Sequence, residues 1–353
     1  MEKIKVLIVD DSAFMRKSIS LLLNADAQIE VIDTAIDGAM AIEKIKKLKP
    51  DIVTLDVEMP RMDGLTALKI IMKECPVPVI MLSSLTTEGA SVTMKALELG
   101  AVDFISKESS FVSITISSIK EELISKVKEI YKSQALKRRL GRIRNLAGTN
   151  SAVPRKTLNK IPVNNYQALG LGISTGGPIS LQKVIPKLSN NLKIPVFIVQ
   201  HMPPKFTASL ADRLNALSSL EVKEATNGEV VRNGVVYIAP GGYHLKVRRD
   251  NSNNLITDIT EQPANVLHRP SVDVMLESLH AVYGKKVLGV IMTGMGKDGL
   301  EGIRKIKQSG GYCIAQNEES CVVYGMPRAI AENGLADVIA SLEDIPKIIN
   351  QAI

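Results

Sequence analysis

At 353 residues the chain is too long for one ordinary hydrophobic core, so two domains are expected. It is 45% hydrophobic and 23% charged, ordinary for a globular protein, and no run approaches the ~18 apolar residues of a membrane-spanning helix. The net charge of +7 raises nucleic acid as a partner, but eleven Lys/Arg against the single acid Glu129 put a net +10 into residues 126–160, which leaves the rest of the chain at −3. That segment lacks the interleaved aromatics of a single-strand binding surface, so no nucleic-acid partner is expected. Met1-Glu2-Lys3-Ile4-Lys5 leads straight into a strand-like run without a signal-peptide layout. Cys75, Cys313 and Cys321 form no metal or disulfide pattern, so the expectation is reduced thiols in a cytoplasmic protein without membrane insertion.

The first elements alternate strand and helix signals. Lys5 to Val9 is a short apolar run that ends in Asp10-Asp11, and helical spacing follows from Phe14 to Leu23. Asp51 to Leu55 is a second strand, ending in Asp56. Val77 to Leu82 is a third, ending in Ser83-Ser84, and Val102 to Ser106 leads to Lys107. Short buried strands between amphipathic helices predict a parallel, doubly wound sheet, and such sheets bind ligands at the carboxyl edge of their strands. Asp10, Asp11 and Asp56 then meet at one edge, where they repel one another without a cation. An oxygen-only set suits Mg²⁺, and a carboxylate held beside Mg²⁺ can take up a phosphoryl group. Ser83 and Lys107 follow strands of the same sheet and come within reach of that phosphate.

The runs Val9-Asp10-Asp11-Ser12, Leu55 to Gly64, Ser83-Ser84 and Gly100 to Lys107 resemble the receiver domain of two-component response regulators, over roughly residues 3–122. The resemblance implies a flavodoxin-like fold with Asp56 as phosphoacceptor. It implies Asp10, Asp11, Asp56 and the backbone carbonyl of Glu58 as Mg²⁺ ligands. Ser83 is then the switch hydroxyl, Phe104 the switch aromatic and Lys107 the phosphate partner. One departure is Glu108 after Lys107, where receivers usually carry proline.

Residues 119–146 have helical spacing (Ile119, Leu123, Val127, Ile130), and 147–164 read as a linker. Residues 123–161 are therefore expected to be a basic helical extension and connector. Strand–helix alternation resumes at Ala168 and predicts a second α/β domain over 162–353. Gly172-Ile173-Ser174-Thr175-Gly176 fits G-x-S-x-G, in which a serine sits on a sharp strand-to-helix turn. Pro178 suits the first helical turn, and amides at a helix start can hold an oxyanion. A Gly-rich turn also suits a dinucleotide phosphate, but G-x-G-x-x-G with its ribose-binding acid is missing. The strand Ile194 to Gln200 ends at His201, and Val287 to Met292 leads to Asp298. Both residues reach the edge of Ser174, which suggests a Ser-His-Asp triad in an order unlike that of α/β-hydrolases. His244 and His280 read as structural or exposed. His268 is a harder case that could line the cleft, and His201 is preferred as base for its strand-end position.

Gly172 to Gly177, Gln200 to Pro204, His268 to Asp273, Thr293 to Gly299, Ala315 to Glu318 and Gly325 to Arg328 resemble the CheB-type methylesterases, so that the two resemblances together span nearly the whole chain. This resemblance implies a Rossmann-like catalytic domain with the triad Ser174, His201 and Asp298, and with Thr175 and Met295 shaping the oxyanion site. It implies hydrolysis of glutamyl methyl esters on chemoreceptors with methanol release, deamidation of receptor glutamines, a chemotaxis histidine kinase as phosphodonor, and a contact between receiver and catalytic domain that phosphorylation relieves. No cofactor is expected for the hydrolysis. Two rival readings are a receiver joined to a DNA-binding output and a receiver-controlled hydrolase of small-molecule esters.

Overall fold

The computed structural model describes residues 3–107, 120–133, 162 and 166–353. The chain divides into two compact units, residues 1–141 and 142–353. Most of the expected connector, and Glu108, lie outside the described residues.

In the first unit β1 (Ile4–Val9), β2 (Ile29–Ala35), β3 (Ile52–Asp56), β4 (Val79–Ser83) and β5 (Asp103–Ser106) form a parallel sheet in the order β2-β1-β3-β4-β5. β3 and β4 are buried along their whole length, as a central strand of a parallel sheet must be. The helices between them start on side-chain caps. Ser12 caps α1 (Ala13–Asn24), Asp37 caps α2 (Gly38–Leu48), Asp63 caps α3 (Gly64–Glu74) and Thr86 caps α4 (Thr87–Glu98), each accepting a backbone N–H of the first turn. Residues 120–133 are helical (α5), and the 3.6-residue spacing seen in the sequence buries Leu123, Val127 and Ile130. Strand order reverses between β1 and β3, which opens a crevice beyond their carboxyl ends.

The second unit repeats the principle in a seven-stranded parallel sheet. Its strands are β6 (Ala168–Ile173), β7 (Val196–Gln200), β8 (Glu221–Glu224), β9 (Val235–Ile238), β12 (Val287–Ile291), β13 (Tyr312–Gln316) and β14 (Val338–Ala340), in the order β14-β13-β12-β6-β7-β9-β8. Alternating with them are α6 (Gly177–Val184), α7 (Phe206–Leu217), α8 (Val272–Tyr283), α9 (Leu300–Gln308), α10 (Met326–Glu332) and α11 (Ile345–Ala352). An antiparallel pair, β10 (His244–Arg249) with β11 (Leu255–Thr260), stands apart from the sheet, a departure from the purely parallel expectation.

β6 is central, and two of its residues are glycine for a packing reason. A Cβ at Gly170 would lie 2.6 Å from Leu276, and one at Gly172 would lie 2.3 Å from Val272. Both neighbours belong to α8, so the bare backbone of β6 lets that helix approach closely. The order reverses between β6 and β12, and the start of α8 lies against the end of β6 at that switch point.

Candidate functional sites

The crevice of the first unit holds the predicted acids. Asp10 follows β1 and is fully buried, Asp56 ends β3 and is 3% exposed, and Asp11 is exposed beside them. Oxygens of the three carboxylates lie within 4.8 Å of one another. Lys107, after β5, reaches both buried acids, with Nζ 2.9 Å from Asp10 Oδ2 and 2.6 Å from Asp56 Oδ2. Burial pushes the Asp56 carboxyl up to about 6, Lys107 opposes that rise, and the Asp10 charge adds to it. The backbone of Glu58 lies at the same carboxyl, hydrogen-bonded to Asp56. One lysine cannot neutralise three acids, and an all-oxygen donor set of this kind fits a hard divalent cation.

Ser83 and Phe104 are in the sheet but engaged elsewhere. Ser83 is fully buried, with its hydroxyl donating to the Gly89 carbonyl (3.2 Å) and accepting from Thr93 Oγ1 (2.7 Å), both on α4. Phe104 is 4% exposed. Lys126 of α5 donates to its carbonyl at 2.7 Å, sits 5.7 Å over its ring, and pairs with Asp103 and Glu122. Thr93 and Lys126 carry no signal in the sequence, because each meets its partner from a different element.

In the second unit Ser174 is the first residue after β6. Its carbonyl accepts from Gly177 N–H (2.8 Å), closing a tight turn, and Gly176 at φ +74° takes the left-handed position that starts α6. Register pairs Ile173 with Gln200, and His201 N–H continues the ladder onto the Ile173 carbonyl at 3.2 Å. Ser174 and His201, one residue beyond that pair, therefore emerge side by side. Asp298 follows β12, and its Oδ2 lies 2.8 Å from His201 Nε2. His201 Nδ1 is buried with no hydrogen-bond partner.

Asp298 has three further donors. Val272 N–H (2.7 Å), Asp273 N–H (3.0 Å) and Ser271 Oγ (3.0 Å) all point at its carboxylate from the start of α8. Burial pushes the carboxyl up, but His201 and these amides outweigh it and hold Asp298 well below the usual carboxylate range. Burial raises the neighbouring Asp273, whose carboxyl accepts from Gly302 N–H, and the Asp298 charge adds to the rise.

Thr175 is 3% exposed, and its carbonyl accepts from Thr293 Oγ1 at 2.9 Å. Met295 follows Gly294, where a Cβ would come within 2.8 Å of the Ser174 Cβ. The backbone that leads into Met295 therefore passes directly against the serine. The competing histidines separate clearly. His244 is fully buried, accepting from Ser271 N–H (3.2 Å), and His280 bonds to Ser309 Oγ (2.6 Å), so both are structural. His268 stacks on His201 with centroids 4.2 Å apart and planes at 22°. It belongs to the site, though as a neighbour of the His201 ring. Ser271, Thr293 and Gln200 lie within the motif stretches quoted from the sequence, but the sequence assigns none of them a role.

Comparison with known proteins agrees with both halves. Residues 169–349 match the CheB methylesterase family model, and residues 6–117 match the response regulator receiver domain model. The chain is 47% identical over 351 residues to the protein-glutamate methylesterase/protein-glutamine glutaminase of Pyrococcus abyssi, covering 99% of this chain and 94% of the relative. It is 48% identical over 361 residues to the protein of the same name from Geobacillus kaustophilus, covering 100% and 99%. The crystal structure of the Thermotoga maritima CheB methylesterase catalytic domain superposes with a TM-score of 0.52 at 43% identity, covering 54% of this chain and all of that one. The chain thus belongs to the CheB methylesterase family, with a response-regulator receiver domain ahead of its catalytic domain.

Proposed function

We propose that this protein is a phosphorylation-controlled methylesterase of chemotaxis, hydrolysing glutamate methyl esters on chemoreceptors through Ser174, His201 and Asp298. One observation carries the reading. Asp298 occupies His201 Nε2, which leaves the buried Nδ1 as the basic nitrogen for the serine on the adjacent strand end. Asp298 fixes that tautomer and stabilises the imidazolium; its own donors keep it an anion throughout.

The steps follow from these roles. Ser174 Oγ attacks the ester carbonyl while its proton passes to His201 Nδ1. The developing oxyanion is met by the amides of Thr175 and Met295 on the two backbone segments flanking Ser174. Collapse breaks the C–O bond to the methoxy group, which takes the proton from His201 and leaves as methanol. Water, deprotonated by His201, then cleaves the acyl-serine and frees a glutamate. A receptor glutamine follows the same course with ammonia as the leaving group.

In the receiver, Asp56 is the phosphoacceptor, with a chemotaxis histidine kinase as donor. Asp10, Asp11, Asp56 and the Glu58 carbonyl are the groups that would hold Mg²⁺, which when bound neutralises charge on the entering phosphoryl group. Lys107 is already paired with Asp56 and would follow the phosphate. Ser83 would exchange its bonds to α4 for a phosphate oxygen, freeing Phe104 to repack. The assignment divides the chain into a receiver over 3–122, a connector over 123–161 and a catalytic domain over 162–353. The reading places the protein in the cytoplasm, where it would meet receptors; among the described residues no helix is long and apolar enough to cross a membrane.

Methanol release from methylated receptor tests the reading. Ser174→Ala is expected to lower kcat by about 10⁶-fold while leaving phosphorylation of Asp56 intact. Release at the wild-type rate from that variant, or equal turnover of a generic small ester, would contradict it.

A further inference from the structure

We propose that Gln200 is a positioning residue for hydrolysis, its single buried amide setting the spacing between nucleophile and base. The inference rests on the roles given above to Ser174 and His201.

Gln200 is the last residue of β7 and is 2% exposed. Its Nε2 donates to the Ser174 carbonyl at 3.0 Å and to the His201 carbonyl at 3.2 Å. Both partners are acceptors only, so the nitrogen must face them, and its two N–H groups match the two carbonyls. The last backbone rung between β6 and β7 is His201 N–H to the Ile173 carbonyl. Beyond that rung each strand turns away, Ser174 into α6 and His201 into the Met202-Pro203-Pro204 loop. The Gln200 amide is thus a cross-tie past the end of the ladder, joining the two residues whose side chains must exchange a proton.

The other end of the amide, Gln200 Oε1, is buried and gains no hydrogen bond from the protein. Leaving a buried acceptor unsatisfied is a cost that Met or Leu, of similar size, would remove. The neighbouring chain makes room for the amide as well. A Cβ on Gly177 would fall 1.8 Å from Gln200 Oε1, so any side chain at that position expels it. A polar group kept at this cost, in a slot cleared for it, and donating to both reactive residues, is explained by the geometry it enforces. Displacements of about 1 Å between reacting groups cost on the order of 10²-fold in rate.

The test uses the full-length protein and reads kcat and KM for methanol release, the rate at which a fluorophosphonate labels Ser174, and thermal unfolding. Gln200→Met keeps the volume and removes both donors. It is expected to lower kcat and labelling by roughly 10²-fold, with KM held within about two-fold. Gly177→Ala displaces the amide and is expected to show the same pattern. Gln200→Glu separates positioning from packing. A buried carboxyl titrates high and donates only when protonated, so activity relative to wild type should rise as the pH falls from about 8 to about 5.5. A folded Gln200→Met with wild-type kcat and labelling overturns the proposal. Where that variant does not fold, a flat ratio for Gln200→Glu across the same range overturns it. Failure of the hydrolase reading would look different: Ser174→Ala would still be labelled or still release methanol.

Discussion

The two sites of this chain are built on one topological rule and hold their carboxylates in opposite electrostatic settings. Each lies where the strand order of a parallel sheet reverses, between β1 and β3 in the receiver and between β6 and β12 in the hydrolase. In the receiver, Asp56 is buried with one lysine and a neighbouring acid, and its carboxyl is pushed up to about 6. In the hydrolase, Asp298 is also mostly buried, but two amides, a hydroxyl and an imidazole hold it well below the usual range. Burial acts in the same sense on both. The number of donors decides the outcome: the under-satisfied carboxyl of Asp56 is pushed up, and the fully satisfied one of Asp298 is held as an anion against His201.

The largest effect that would break this comparison comes from Asp298→Asn. The amide cannot hold the required His201 tautomer and turns one N–H toward a donor at the start of α8. A loss on the order of 10⁴-fold in kcat is expected, with the fold retained by circular dichroism. His268→Ala is expected to cost about ten-fold in kcat, since it removes only the face that packs on His201, whereas His201→Ala should approach the loss of Ser174→Ala. If the order of the two histidines were reversed, the base would be misassigned.

The smallest effect is on stability and has opposite signs in the two units. The raised Asp56 carboxyl means that the folded receiver binds more protons than the unfolded chain between about pH 4 and pH 6, so this group lowers stability as the pH rises through that window. Asp56→Asn should therefore stabilise the receiver by about 1–3 kcal/mol above pH 6 and by nothing below pH 4, read by denaturant unfolding. The depressed Asp298 works the other way: its contribution is present above about pH 4 and is lost as the pH falls through its folded value. An Asp56→Asn receiver no more stable than wild type at pH 7.5 would remove the contrast between the two carboxylates.

Much of this was legible in the sequence because the chemistry sits at strand ends. Asp10, Asp56, Ser174, His201 and Asp298 each follow a short apolar run, and in a parallel sheet those runs finish on one edge. β2 was harder to read. As an edge strand with exposed and half-buried residues it carries no continuous apolar signal. The pair β10 and β11 was likewise hidden among polar residues such as Arg248, Arg249 and Asp258. What the sequence could not give was the second layer of each site. Thr93 against Ser83, Lys126 against Phe104, and the start of α8 against Asp298 are contacts between different elements, and no local pattern encodes them. The glycines of β6 carried a usable signal, since Gly170 and Gly172 mark where a helix packs directly on the strand that bears the serine.

The most direct measurement is methanol release from methylated receptor by the full-length protein, with and without a small-molecule phosphodonor, in wild type, Asp56→Asn and Ser174→Ala. The account predicts that the donor raises the wild-type rate, leaves Asp56→Asn at its basal rate, and finds Ser174→Ala inactive in both conditions. A donor response that survives Asp56→Asn, or release that survives Ser174→Ala, would contradict it.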